Sequence, residues 1–213
     1  MLRVLIADDH AVLRMGLKQL VADECGQSDQ VDFGEAQNGQ EVLDLARQQQ
    51  WDIILLDISM PGRDGLDVLR ELVHEHPDVR ILVLSMYPED QYAVRALKMG
   101  ASGYMTKESA PDELAKAIDR ITEGGRYVSP SLAEKLAFDL STRTEAPLYE
   151  MLSDREYQVL RMIASGKTVK QIALELSLSA KTVSTYRVRL LEKMRMSTNA
   201  ELTHYAVCNH LVE

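Results

Sequence analysis

The residues of this chain best suited to chemistry are acids that end apolar runs: Asp8 and Asp9 after Val4-Leu5-Ile6-Ala7, and Asp57 after Ile53-Ile54-Leu55-Leu56. A run of branched apolar residues reads as a strand buried on both faces, so an acid just past its end sits at the rim of a parallel sheet. If the two strands are neighbours, these carboxylates converge. Acids so close repel one another, and a hard divalent cation with oxygen ligands relieves the repulsion. The pattern suits a Mg2+ ion held beside one acid that does chemistry.

Presenting the acids this way takes strands with helices between them. Strands are expected at residues 3–7, 31–35, 53–56, 81–84 and 103–105, alternating with amphipathic stretches, among them Val12, Leu17, Leu20, Val21 and Val42, Leu43, Leu45, Ala46. Regular alternation predicts an α/β domain over residues 1–125, a doubly wound five-stranded parallel sheet of flavodoxin-like type. Ligands of such sheets bind outside the carboxyl ends of the strands, where Asp8, Asp9, Asp57 and Ser85 all fall. Asp64, before Gly65, reads as a turn residue. Residues 126–149 form a linker with a short helix: Ser129-Pro130-Ser131 caps a helix through Leu140, and residues 141–147 are polar and turn-prone.

Residues 150–213 read as a second, all-α domain. Ser153 and Glu156 make a capping box ahead of Tyr157, Val159, Leu160 and Ile163, and Gly166 stops that helix. Helices follow at 169–176, 180–194 and 199–209, with a tight turn at Ser177-Leu178-Ser179. Two short helices joined by such a turn make a helix-turn-helix, whose second helix enters the major groove of DNA. Helical periodicity puts Val183, Tyr186, Leu190 and Met194 on a core stripe and turns Lys181, Ser184, Thr185, Val188 and Arg189 outward. Small hydroxyls, a valine and cations suit base edges and phosphates. On periodicity alone, an ordinary solvated bundle helix is an equal reading.

Charge bears on that choice. The 213 residues are 46% hydrophobic, enough for packed cores, and their net charge of -9 is unevenly divided. Residues 1–147 carry a net -11 and residues 148–213 a net +2, with five bases against one acid in residues 179–196. The acidity belongs to the first part, and the local basic excess favours phosphate contact. Cys25 and Cys208 lie far apart in apolar helical contexts and read as reduced thiols. His10, His74, His76, His204 and His210 form no ligand spacing. No leader-like segment precedes the first strand and no apolar stretch reaches membrane-spanning length, so a cytoplasmic protein without a membrane partner is expected.

Taken together and in order, these residues resemble a two-component response regulator of the NarL/FixJ family, a receiver followed by a LuxR-type helix-turn-helix. The receiver matches are Asp8-Asp9-His10, Asp57 with Met60-Pro61-Gly62 and Gly65, Ser85, and Gly100-Ala101-Ser102-Gly103-Tyr104 with Lys107. The effector matches are Leu152-Ser153-Asp154-Arg155-Glu156, Val159-Leu160, Ile172-Ala173 and Ser179-Ala180-Lys181-Thr182-Val183. The string from Lys181 to Arg187, with Glu201-Leu202-Thr203, is similar to the GacA/UvrY branch.

The resemblance implies roles. Asp57 is the phosphoacceptor for a histidine kinase; Asp9, Asp57 and the Ser59 backbone carbonyl ligate Mg2+, and Asp8 acts through a water. Lys107 and Ser85 contact the phosphoryl group, and Tyr104 swings inward behind Ser85. Lys181, Thr182, Ser184, Thr185, Arg187, Val188, Arg189 and Lys193 meet duplex DNA, bound by a homodimer that phosphorylation promotes. Ser59 and Tyr87 stand where receivers orient attacking water, and neither is an acid or amide, so a long-lived phosphoryl group is expected. Glu108 after Lys107, where many receivers have proline, and Tyr186, where many LuxR-type domains have histidine, depart from the pattern. The competing readings are a phospho-aspartyl phosphohydrolase, disfavoured because Ser59 stands where a second acid is wanted, and a receiver whose helical tail binds protein or RNA.

Overall fold

The computed structural model describes residues 1–24, 31–63, 65–87, 89–142, 147–209 and 211–212. It divides into two compact units, Met1–Ser141 and Thr142–Glu213. Asp64, Cys25 and His210 lie outside the described residues, as do residues 143–146 of the polar, turn-prone stretch 141–147.

The first unit alternates strand and helix as its apolar runs require. In order come β1 (Leu2–Ala7), α1 (Ala11–Glu24), β2 (Val31–Ala36), α2 (Gly39–Gln48), β3 (Ile53–Asp57), α3 (Gly65–Glu75), β4 (Arg80–Ser85), α4 (Glu89–Lys98), β5 (Gly103–Thr106), α5 (Ala110–Thr122) and α6 (Pro130–Thr142). The strands pair in parallel in the order β2-β1-β3-β4-β5. Alternate residues serve opposite faces of the sheet. Val4, Ile6, Ile53, Leu55, Leu82, Leu84 and Met105 pack with Leu17 and Val21 of α1 and Leu114, Ile118 and Ile121 of α5. Helices α2 and α3 contact one another, burying Val42, Leu43, Leu66 and Leu69. With both faces covered, β3 is buried along its whole length, which is why its sequence shows no alternation.

Helix α6 lies mostly within the first unit, and it is tied down at its start. Ser129 caps it by accepting from the Leu132 N–H at 3.2 Å, and the Ser129 hydroxyl donates to Glu89 of α4. Tyr127 bridges beside Gly103 at the edge of β5, its hydroxyl donating to Glu113 of α5 at 2.7 Å.

The second unit is helical. A 3-10 turn (Leu148–Met151) precedes α7 (Asp154–Ala164), α8 (Val169–Glu175), α9 (Ala180–Met194) and α10 (Asn199–Cys208). The capping box at Ser153 and Glu156 forms as expected, and a second one, Thr168 with Gln171, opens α8. Ser177 turns the chain between α8 and α9 at φ 54°, and Ser179 caps α9. Among the described residues no helix is long and apolar enough to cross a membrane.

Candidate phosphoacceptor site and DNA-binding helix

Strand β1 lies between β2 and β3, so its carboxyl end delivers Asp8 beside Asp57 at the end of β3. Both carboxyls are buried, each with 1% of its side chain exposed. Asp57 Oδ1 accepts from the Ser59 N–H at 2.8 Å, and its Oδ2 accepts from Lys107 Nζ at 2.7 Å. The same ammonium lies 2.6 Å from Asp8 Oδ2. Lys107 is held there because its own N–H donates to the Ser85 carbonyl at 2.8 Å, continuing the β4–β5 edge by one residue. One cation thus bridges two buried anions. Burial pushes the Asp57 carboxyl above its ordinary range, and Lys107 pulls it part of the way back. Burial would lower the Lys107 ammonium, but Asp57 and Asp8 outweigh it and hold it above the ordinary lysine value.

Ser85 is fully buried and its hydroxyl accepts from the Tyr87 N–H at 3.0 Å. Tyr104, which the resemblance has swinging inward, is already inside: it is fully buried and its hydroxyl donates to the Tyr87 carbonyl at 2.9 Å. Asp9 keeps partial contact with solvent, and its Oδ1 lies 2.8 Å from His10 Nδ1. Asp8, Asp9 and His10 bring their ligand atoms within 4.8 Å of one another, so the histidine set aside in the sequence reading stands at the site.

A hard cation fits this donor set. Asp8 Oδ1 accepts from the His10 N–H at 2.8 Å, whereas its buried Oδ2 is paired only with the Lys107 ammonium. With Asp9 beside Asp8 and with Asp57 sharing the Lys107 ammonium with Asp8, the carboxylates suit the preference of Mg2+ for oxygen ligands.

Two further residues that the sequence reading passed over support the acids. Arg14 of α1 is buried; its Nη1 donates to the Asp8 carbonyl at 2.8 Å and its Nε donates to Glu35 Oε2 at 2.8 Å. Glu35, which Lys18 also contacts, is thereby held below the ordinary carboxylate range. The signal was present: Arg14 shares an inward stripe of α1 with Leu17 and Val21, where an unpaired charge is not tolerated.

On α9 the stripe Val183, Leu190 and Met194 is buried, while Tyr186 is only half-buried. Lys181, Ser184, Thr185, Val188 and Arg189 are exposed as expected. Thr182 and Arg187 are half-buried and partly committed: the Thr182 hydroxyl shares a 2.7 Å hydrogen bond with Ser179, and Arg187 Nε donates to Asn199 Oδ1 at 2.6 Å. Lys193 has an internal role, since its ammonium donates at 2.6 Å to Glu156, a carboxyl buried at the start of α7. Burial raises that carboxyl, yet Lys193 and the Ser153 N–H together bring it below the ordinary value.

A doubly wound sheet with an aspartate gripped by a lysine at its carboxyl edge, followed by a helix-turn-helix, is the architecture of response regulators that act on DNA. The response regulator receiver domain family matches residues 4–119, and the luxR family of bacterial regulatory proteins matches residues 150–206. The response regulator GacA of Pseudomonas viridiflava is 39% identical over 214 residues, covering 100% of this chain and 99% of its own. UvrY of Escherichia coli K12 is 35% identical, covering 97% and 94%. Among solved structures, RcsB from Salmonella enterica serovar Typhimurium, bound to promoter rprA with phosphomimetic BeF3-, superposes with a TM-score of 0.61 at 26% identity over 97% of this chain and 99% of that one. The chain belongs to the NarL/FixJ family of response regulators, on the GacA/UvrY side, and is a phosphorylation-dependent regulator of transcription.

Proposed function

We propose that Asp57 accepts a phosphoryl group from a histidine kinase and that the phosphorylated chain, a cytoplasmic homodimer, binds duplex promoter DNA through α9. The receiver spans residues 1–125, the linker 126–149 and the effector 150–213. The observation that carries the reading is the Lys107 ammonium set between the buried Asp57 and Asp8, at 2.7 and 2.6 Å. A permanent ion pair of this kind is a poor stabiliser. It is a good receptor for a group that brings its own negative charge.

An oxygen of Asp57 attacks the phosphorus, and the bond to the donor breaks as its electron pair leaves with the imidazole. Asp9, Asp57 and the Ser59 carbonyl would hold Mg2+, with Asp8 acting through a water, and the ion would supply charge neutralisation and orientation of the donor. Lys107 gives up Asp57 and donates to a phosphoryl oxygen, and the Ser85 hydroxyl turns from the Tyr87 N–H toward another. The donor kinase docks beside the acids on α1, whose Val12 and Met15 are 84% and 70% exposed.

At the DNA, Val188 meets a thymine methyl, Ser184 and Thr185 reach base edges, and Lys181, Arg187 and Arg189 neutralise phosphates. Thr182 contributes through its cap. Lys193 is left out of this set because Glu156 holds it.

The test is intact mass after incubation with acetyl phosphate and Mg2+. One phosphoryl group is expected on the wild type and none on Asp57→Asn or after chelation; uptake by Asp57→Asn would remove Asp57 from its role.

A further inference from the structure

We infer that Arg14 is a positioning residue for the cation site: its guanidinium fixes the backbone of Asp8 so that Asp8 Oδ2 faces the site. This inference rests on the reading of the acids given above. Every polar atom of Asp8 has a partner, and only that of Oδ2, the Lys107 ammonium, belongs to the site itself. Its N–H donates to the Ala36 carbonyl at 3.1 Å, its carbonyl accepts from Arg14 at 2.8 Å and its Oδ1 accepts from the His10 N–H at 2.8 Å. Oδ2 pairs with the Lys107 ammonium at 2.6 Å.

The carbonyl of Asp8 leaves the sheet just past β1, where among the described residues no neighbouring strand supplies a donor. A buried carbonyl there needs a partner. Arg14 meets that need from the first turn of α1, reaching back across the loop that carries Asp9 and His10. The guanidinium is in turn oriented by Glu35 at the end of β2, which Lys18 also holds. The clamp therefore locks β1, β2 and α1 to one another immediately beneath the acids.

The chemistry of arginine decides the role. Two donors in a fixed planar fork reach Glu35 through Nε and Asp8 through Nη1. A lysine in the same place offers one point charge, able to pair with Glu35 but not to hold both acceptors in one geometry. Because Glu35 balances the charge of Arg14, the clamp supplies orientation rather than a repulsive field. Supporting contacts one step beyond metal ligands are worth about 10- to 100-fold in affinity.

The experiment compares wild type, Arg14→Lys and Arg14→Gln as full chains. The Mg2+ concentration that half-saturates phosphoryl uptake from acetyl phosphate is measured beside the rise in melting temperature that Mg2+ itself gives. Arg14→Lys is expected to melt near wild type without Mg2+, yet to need about 10-fold more Mg2+ in both measurements. Its rate at saturating Mg2+ should return close to wild type, because no group that touches phosphorus has changed. Arg14→Gln should show at least the same shift if it folds. Wild-type Mg2+ dependence in Arg14→Lys, or lowered melting temperature with no Mg2+ shift in either variant, would overturn the positioning role. If the wild type takes up no phosphoryl group but Mg2+ still stabilises it, the phosphoacceptor reading falls, and the melting shifts decide the role of Arg14. Absence of any Mg2+ stabilisation in the wild type overturns both.

Discussion

Burial takes water from the Asp57 carboxyl and pushes its proton affinity up, while the Lys107 ammonium 2.7 Å away opposes the shift. A carboxyl whose folded pKa is raised binds more protons folded than unfolded, so stability falls as pH rises from the ordinary carboxylate range through the raised value. At neutral pH the molecule keeps that cost in order to hold a nucleophile out of water. Asp57→Asn is therefore expected to melt higher than wild type at pH 7 and to lose this part of the pH slope. A lower melting temperature for Asp57→Asn would show that the pairing with Lys107 outweighs burial. The raised Lys107 pKa makes no contribution to this slope, because its stabilisation is lost only in alkaline solution, above the ordinary lysine value.

Elements present these residues, and some of that presentation was legible in the chain. Strands β1 and β3 announce themselves as apolar runs that end in acids, and the stripe Val183, Leu190, Met194 faces the core as its spacing requires. Partnerships between distant segments were not legible. Lys193 finds Glu156 across 37 positions and Arg14 finds Glu35 across 21, and no local pattern encodes either. Glu156 serves two elements at once, capping α7 through the Ser153 N–H and binding α9 through Lys193. Its folded pKa lies below the ordinary value, so its contribution is present above that range and is lost as pH falls through the folded value. Lys193→Met should cost about 1 to 2 kcal/mol, less than a fully buried pair because the lysine is 43% exposed. The readout is amide exchange in α7 and α9 within the full chain; unchanged protection would return Lys193 to the DNA-facing set. Gly65 is a second case, at the start of α3. A Cβ there would meet the Ile58 carbonyl carbon and oxygen at 2.8 Å, so Gly65→Ala should lower stability by about 1 to 3 kcal/mol and displace the loop beside Asp57. Denaturant unfolding measures the loss, and a neutral result would mean that the loop shifts freely.

At the scale of the molecule, charge is divided as function requires. Residues 1–147 carry a net -11 against +2 for residues 148–213, so most of the chain is repelled by the polymer that its last helices address. The densest attraction is the run of five bases against one acid in residues 179–196. Affinity for DNA should then respond steeply to salt, because each lysine or arginine that meets a phosphate releases condensed counterions. Lys181→Ala and Arg189→Ala are each expected to weaken binding across all sequences and to reduce the salt slope by about 1 per contact in each protomer. Val188→Ala should leave the slope unchanged while relaxing preference at one base pair by about 1 kcal/mol. Binding of duplex DNA that is insensitive to salt would instead favour the protein- or RNA-binding tail. Val207 on α10 is exposed and lies on a different helix from these contacts. If α10 joins two copies on the DNA, Val207→Asp weakens binding without altering phosphoryl uptake or the slope per protomer, because it removes dimer contacts and no phosphate contact. Full affinity in that variant would take Val207 out of the dimer interface.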